Sequence, residues 1–508
     1  MSGSLGDQLE QNAALSPNGI WLTSPETSQQ VTWQEALSQA QSIAMHLKAL
    51  GIEDGESIAI ASHNSIGACL AIAGITYGGY LATPLNLVAG TKVMSYVLKH
   101  CKADVIFCAP DNHDLIADVL SQSKLSPLII LLPPEGPPVW PEGCTGAAAQ
   151  PAPFPQKKTP GILMYTSGTT GNPKGVVLSH GNLLAAGRNP VEAHHITAED
   201  TGLCVLPIYH INGLCVTVMG TLVSKSQLVI PYKFSVSTFW QQVYDHKVSW
   251  FSAVPTLFAY LLNDETVPEL DRARLRFSRS ASAPLSPEIH RRFEARFGIP
   301  IIETMGLTET GAQILSNPMP PQERKIGSPG IAVGNEVIIA DENLQPVAAG
   351  VSGEILVRGE NVMQTYLHQP DETAKTITVD GWLRTGDIGH MDDDGYVFVT
   401  GRIKELIIKG GENIAPREID EVLLEHDVIL EAAAFAVPCE NYGQTVEACI
   451  RFKPRKTAEV SALLDHCRDR LGKFKCPDNI HILDDLPKGP SGKVQRLKLF
   501  GLVYQETQ

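Results

Sequence analysis

Short, uninterrupted apolar runs alternate with helix-period stretches through roughly the first four-fifths of the chain. Ser57–Ala61, Val105–Phe107, Leu128–Leu132 and Leu203–Leu206 are each brief and rich in β-prone residues. Such runs predict strands buried on both faces of a largely parallel sheet. Trp33 to Leu50 has a different rhythm. Ala36, Ala40, Ile43, Ala44 and Leu47 recur on one side, which predicts an amphipathic helix. The Pro- and Gly-rich segment Pro133–Pro160 reads as a surface connection. After Gly401 the texture changes: Ile407-Ile408, Ala432–Val437 and Val446–Phe452 predict strands, with a helix opening at Pro416 that aligns Ile419, Val422 and Leu423. The pattern predicts an α/β chain. A large N-terminal domain, residues 1–402, holds mostly parallel sheets layered with helices, and a small α+β domain follows at 403–508.

One stretch imitates a membrane span. No charged residue occurs between Glu56 and Lys92, and Gly67–Tyr80 is largely apolar. Gly78-Gly79 and Pro84 interrupt it, and Ser62, Asn64 and Asn86 lie inside the uncharged run. A buried helix followed by a turn and a strand is the better prediction. The 508 residues exceed one hydrophobic core, consistent with two domains. A formal net charge of -15 argues against nucleic acid as a partner, so a polyanionic ligand must meet a local basic cluster. The ten cysteines contain no Cys-x-x-Cys pair, which points to reduced thiols in a cytoplasm. Neither terminus carries a recognisable targeting address, so a cytoplasmic chain without an integral membrane segment is expected, with a homodimer left open.

The densest chemical signal is Thr166-Ser167-Gly168-Thr169-Thr170-Gly171-Asn172-Pro173-Lys174-Gly175, set between the apolar runs Gly161–Met164 and Val176–Leu178. Its glycines let backbone N–H groups approach an anion, its hydroxyls add donors, and Lys174 adds charge. That inventory suits a polyphosphate. It is not the Lys-Ser/Thr nucleotidase loop, because Lys174 is followed by Gly175 and an apparent strand.

This run closely resembles the phosphate-binding loop of the adenylate-forming superfamily, which comprises acyl-CoA synthetases, firefly-type luciferases and peptide-synthetase adenylation domains. Further motifs follow in the superfamily's order, and the resemblance spans nearly the whole chain. It implies an AMP-forming acyl-CoA synthetase that converts a small-molecule carboxylate, ATP and coenzyme A to a thioester through an acyl-adenylate. The resemblance assigns Thr304-Met305-Gly306-Leu307-Thr308-Glu309 to adenine and metal, with Glu309 and Thr166 holding Mg2+. A superfamily aromatic residue is replaced here by Met305. Ser282-Ala283-Pro284 would form the adenine-side turn, and Asp387 with Arg402 would bind ribose. Lys404 would be the hinge of a mobile small domain. Gly410, Gly411 and Glu412, with Lys473, Phe474 and Lys475, would contact coenzyme A. Lys493, in Pro487–Lys493, would be the catalytic lysine, a cation bridging the attacking carboxylate and the α-phosphate. Lys473, Lys475, Lys488, Lys493, Arg496 and Lys498 form a basic concentration suited to coenzyme A phosphates.

By the same resemblance His210 gates an acyl pocket that includes Ser280, Ala281, Gly306 and Ala312. Adenylation domains for amino acids usually place Asp at the His210 position; a neutral imidazole cannot pair with a substrate ammonium. Phe239-Trp240, Val254-Pro255-Thr256, Arg279-Ser280 and Ser316-Asn317-Pro318 look similar to the oxalate–CoA ligase branch. Ala312 departs from it, standing where that branch is expected to offer a histidine to the second carboxylate. Two alternatives stay open at this point: a ligase that loads a carrier protein, and a non-catalytic nucleotide-binding relative.

Overall fold

The computed structural model describes residues 3–144, 155–166, 172–264, 271, 273–488 and 494–505. The chain divides into two compact units, Met1–Val337 with Val357–Leu383, and Ile338–Leu356 with Arg384–Gln508.

The first unit is built on two sheets. One has the strand order Thr365–Tyr366, Gly175–Ser179, Pro160–Tyr165, Leu81–Pro84, Ser57–Ala61, Val105–Cys108, Leu128–Leu131. From Pro160–Tyr165 to Leu128–Leu131 the neighbours are parallel, whereas Gly175–Ser179 runs antiparallel to both of its partners. In the other sheet, Ile20–Thr23, Gln227–Val229, Thr201–Leu203, Trp250–Ala253, Phe277–Ser280 and Ile301–Leu307 are successive parallel neighbours. Ala312–Ser316 then folds back antiparallel on Ile301–Leu307. Helices Val236–Asp245, Pro255–Leu262 and Pro287–Phe297 close an aromatic core around Phe239, Trp240, Phe251, Phe258, Phe293 and Phe297.

Most predicted elements form within about three residues of their expected ends, and two differ in character. Leu128–Leu131 is the last strand of its sheet, with Leu128 39% and Leu131 44% exposed; beyond its pairing with Val105–Cys108 it meets only a single antiparallel bridge, from Val139 to Leu131, among the described residues. The run Leu203–Leu206 belongs to the strand only at Leu203. Beyond it, the buried Asn64 side chain captures the chain: its Nδ2 donates to the Cys204 and Leu206 carbonyls, and Ile208 N donates to its Oδ1. Three such bonds satisfy groups that would otherwise be orphaned on leaving the sheet. The membrane-like stretch is the helix Ile66–Tyr77, N-capped by the Ser65 hydroxyl and buried on nearly all sides. No helix among the described residues is long and apolar enough to cross a membrane.

The second unit has its own core. A five-stranded sheet runs Glu412–Ile414, Ile407–Lys409, Gly443–Phe452, Ile429–Cys439, with Asn479–Ile482 parallel beside Gly443–Phe452. Helices Pro416–Leu424 and Val460–Lys475 bury Ile419, Leu423, Leu463 and Cys467 against it. One buried charge network fastens the end of the chain to this body. Arg496 donates to the Asp420 carboxylate at 2.6 Å, reaches Glu405 at 3.4 Å and bonds the Ala434 carbonyl. Their burial makes the pair costly to break from one side. Asp420→Ala should strip about 3–5 kcal/mol from the second unit. It would be read in urea as an earlier unfolding step for that unit, with the step of the first unit unmoved.

Candidate active site

The glycine-rich segment closes a hairpin, since its flanking strands Pro160–Tyr165 and Gly175–Ser179 are antiparallel and pair Tyr165 with Gly175. The base of the loop is sealed by Thr166 N donating to Lys174 O at 3.0 Å and Lys174 N to Thr166 Oγ1 at 3.3 Å. Ser167, Gly168, Thr169, Thr170 and Gly171 lie outside the described residues, as does Lys493.

Lys174 and Glu309, expected at phosphate and metal respectively, are drawn together by a residue that sequence reasoning missed. Tyr366 sits on the two-residue strand added beside Gly175–Ser179. Its hydroxyl donates to Glu309 Oε1 at 2.8 Å, and its ring lies 4.7 Å from the Lys174 ammonium. Burial first, and then the Glu309 charge, push the phenol well above its ordinary pKa, so it stays a neutral donor. Lys174 also contacts Glu372 at 2.7 Å. Hydrogen bonds from Lys174 and then Lys375 hold the Glu372 carboxyl down at about 2. Neither residue carries a local signal. Glu372 stands 198 residues from Lys174 in sequence, and only the edge pairing brings it near.

Of the predicted acyl positions, Ser280, Ala281 and Gly306 lie at the carboxyl ends of parallel strands in the nine-stranded sheet, where open α/β sheets commonly bind ligands; Ala312 opens the returning strand and His210 lies outside the sheet. Ser280 ends Phe277–Ser280, and Ala281 N bonds the Ala253 carbonyl. Gly306 pairs with Gln313, and Leu307 with Ala312. A Cβ on Gly306 would collide with the Ala312 carbonyl oxygen, so only glycine permits this approach. Ser282 and Ala312 both adopt positive φ, 71° and 89°, a strained conformation for side-chain-bearing residues. His210 precedes the π-helix Asn212–Met219, a winding frequent at functional sites. Burial lowers the His210 pKa to about 4, so the imidazole is neutral near pH 7. Asn212 connects this segment to the turn at Ser282, expected on the adenine side, donating to Ser282 Oγ at 3.5 Å. Asn212 and Gln313 are polar residues flanked by apolar or small ones, the one signal by which they could have been found, whereas Asn64 is hidden in the polar run Ser62-His63-Asn64-Ser65.

Within the second unit, Asp387 and Arg402 are cross-strand neighbours, their charged atoms 2.7 Å apart. Lys404 lies in the single turn Ile403–Glu405. Gly410 and Gly411 form a two-residue hairpin between Lys409 and Glu412, with φ of 59° and 87° that glycine adopts at no steric cost. The Lys409 ammonium is 5.6 Å from the exposed Phe474 ring, placing that ring beside the hairpin. The basic concentration is weaker than its residue count suggests. Lys475 is paired with Glu418, Lys488 with Glu431 and Asp485, and Arg496 with Asp420. Of the others, Lys473 and Lys498 have no carboxylate partner among the described residues, because folding brings acidic side chains onto the rest.

The chain belongs to the AMP-binding enzyme family, whose model matches residues 9–367, with the AMP-binding enzyme C-terminal domain matching residues 418–493. It is an AMP-forming carboxylate–CoA ligase that uses ATP and coenzyme A. It is 43% identical to a sulfoacetate–CoA ligase of Cupriavidus necator, over 96% of this chain and 95% of that protein. An oxalate–CoA ligase of Arabidopsis thaliana is 32% identical over 88% of each chain. Among solved structures, ATP-bound MatB from Rhodopseudomonas palustris superposes with a TM-score of 0.91 at 27% identity, covering all of both chains.

With Lys174 at the phosphates, as the resemblance implies, Glu372 would compete for its ammonium. Glu372→Gln should therefore lower KM for ATP by up to about 5-fold, the scale of a partly exposed ion pair. Initial rates over an ATP series at saturating acid and coenzyme A check this.

Proposed function

We propose that this ligase acts on a small acid bearing a second anionic group, a sulfonate or a carboxylate. The observation that carries this reading is the 43% identity over nearly full length to a sulfoacetate–CoA ligase, whose named acid has that character. The oxalate–CoA ligase's named acid shares it. The neutral His210 and the small residues Ala281, Gly306 and Ala312 are in keeping with a compact polar substrate.

A carboxylate is a weak nucleophile that repels the triphosphate it must attack. Lys174 and the backbone of the 166–174 loop would offset the phosphate charge, and Lys493 would bridge the carboxylate and the α-phosphate as negative charge builds there. Glu309 and Thr166 would hold Mg2+, which screens the phosphates. The residues fit that ion: Glu309 offers a hard carboxylate oxygen beside the phosphate loop, and Mg2+ needs few protein ligands when phosphates complete its shell. Adenylate then forms and pyrophosphate leaves. With residues 1–402 as one domain and 403–508 as the other, Lys404 would be the pivot that withdraws Lys493 and admits the thiol past Gly410-Gly411. Asp387 and Arg402 would hold the ribose hydroxyls through both half-reactions. All ten cysteines are free thiols, in keeping with a reducing cytoplasm.

Pyrophosphate release measured over sulfoacetate, oxalate, malonate, propanoate and hexanoate tests the substrate reading; the highest kcat/KM is expected for an acid with two anionic groups, and a preference for hexanoate would refute it. Lys493→Ala should slow adenylation by at least about 100-fold, the scale of losing one charge-stabilising donor. Thioester formation from supplied acyl-adenylate should stay near the wild-type rate, as single-turnover quench-flow would show. Chelation with EDTA should abolish pyrophosphate release, and added Mg2+ should restore it.

A further inference from the structure

Arg279 is 1% exposed and lies on the strand Phe277–Ser280 among neutral partners. Its Nη1 donates to Ser252 Oγ at 2.9 Å, and its Nη2 to Thr304 Oγ1 at 3.2 Å and Gln313 Oε1 at 2.6 Å. Each acceptor has its own protons committed elsewhere: Ser252 to Asn212 Oδ1, Thr304 to the Ser280 carbonyl, and Gln313 to the Asn189 carbonyl. Their lone pairs are thus left facing the guanidinium. Burial alone lowers its pKa to about 9, with no carboxylate contributing, so it remains a cation near neutral pH. Its Nε and the neighbouring Ser280 Oγ are buried without any hydrogen-bond partner. Arginine has five N–H donors, and a buried cation satisfied by dipoles alone is expensive to maintain.

The surroundings say where the missing charge comes from. Ala281 directly follows the end of the strand that carries Arg279, and its N–H bonds the Ala253 carbonyl, next to Ser252. Gln313 adjoins Ala312, Thr304 stands two residues before Gly306, and Asn212, which orients Ser252, stands two residues after His210. Every segment that contributes an acyl-pocket position therefore also contributes to the shell around this guanidinium. We propose that Arg279 is the specificity-determining residue that receives the second anionic group of the acid, with Ser252, Thr304 and Gln313 orienting it. The inference rests on the substrate reading above and adds the side chain responsible. The sulfonate of a sulfo-acid and the distal carboxylate of a dicarboxylate would use the same N–H donors.

Two variants and the wild type decide the matter, read by KM and kcat for pyrophosphate release with sulfoacetate, malonate and propanoate. Arg279→Gln should raise KM for sulfoacetate and malonate by about 30-fold or more, the lower range for losing one partner of a buried charged contact. The readout is the ratio of kcat/KM for sulfoacetate to that for propanoate, which should fall by about 10-fold or more because propanoate makes no contact through a second anionic group. Gln313→Glu places a carboxylate against the guanidinium at nearly constant volume. It should hold the melting temperature and the KM for ATP while erasing the preference for acids with two anionic groups. If Gln313→Glu retains that preference, Arg279 is a structural staple between strands and the inference is overturned. Should Arg279→Gln fail to fold, the Gln313→Glu result decides alone. A wild type that prefers propanoate refutes the substrate reading and the inference with it, whereas a wild-type preference for sulfoacetate or malonate that survives both variants refutes the inference alone.

Discussion

A buried guanidinium without a carboxylate partner ties together the strands that carry the candidate acyl positions in the first unit. Arg279 joins Trp250–Ala253, Phe277–Ser280, Ile301–Leu307 and Ala312–Ser316 through one side-chain contact on each neighbouring strand. The positions expected to meet substrate hang from those same strand ends. Parallel strands supply rigid ends, and the antiparallel return at Ala312–Ser316 brings Gln313 into reach. The polar shell adds no charge of its own. The site therefore keeps an electrostatic demand that a hydroxyl or an amide cannot fully meet.

The phosphate side obeys a different rule. There the charges are matched: Lys174 with Glu372, and Glu309 with the Tyr366 hydroxyl. Were a triphosphate to meet Lys174 and a metal Glu309, as the resemblance implies, each pair would have to loosen, and binding would exchange one set of charged contacts for another. Partial exposure keeps that exchange cheap, because water competes for the same groups. One half of the first unit thus holds charge in balance and the other holds it in reserve.

Much of the architecture was legible in the sequence. Ser57–Ala61 and the helix at Pro416 form where local pattern predicts them, since β-prone runs and a proline at the first helical turn are local signals. Leu128–Leu131 reads as a buried strand but lies at an edge, because strand order is a non-local property invisible in a short apolar run. The early departure of the chain at Cys204 is set by Asn64, a partner 140 residues away. Thr166, Lys174, Glu309, Asp387 and Gly410-Gly411 could be singled out as candidates because each lies in a short motif of particular residue types at fixed spacing. Tyr366, Glu372 and Asn212 were not, as their relevance comes only from what the fold brings beside them. The basic count near the C-terminus misled in the opposite direction, since composition does not reveal that Glu418, Asp420 and Glu431 neutralise much of it.

The edge strand Thr365–Tyr366 also bears on how the protein is made. The first unit resumes at Val357–Leu383 after the second has begun, and Glu372 follows Lys174 by 198 residues. At ribosomal speeds of about 5–20 residues per second, the lysine emerges about 10–40 s before its carboxylate partner exists. During that interval the nascent phosphate loop lacks both Tyr366 and Glu372, and the strand Gly175–Ser179 is without its outer neighbour. The contacts around Lys174 are thus completed only once Tyr366 and Glu372 have been made, and the growing chain carries an open sheet edge until synthesis is roughly three-quarters complete.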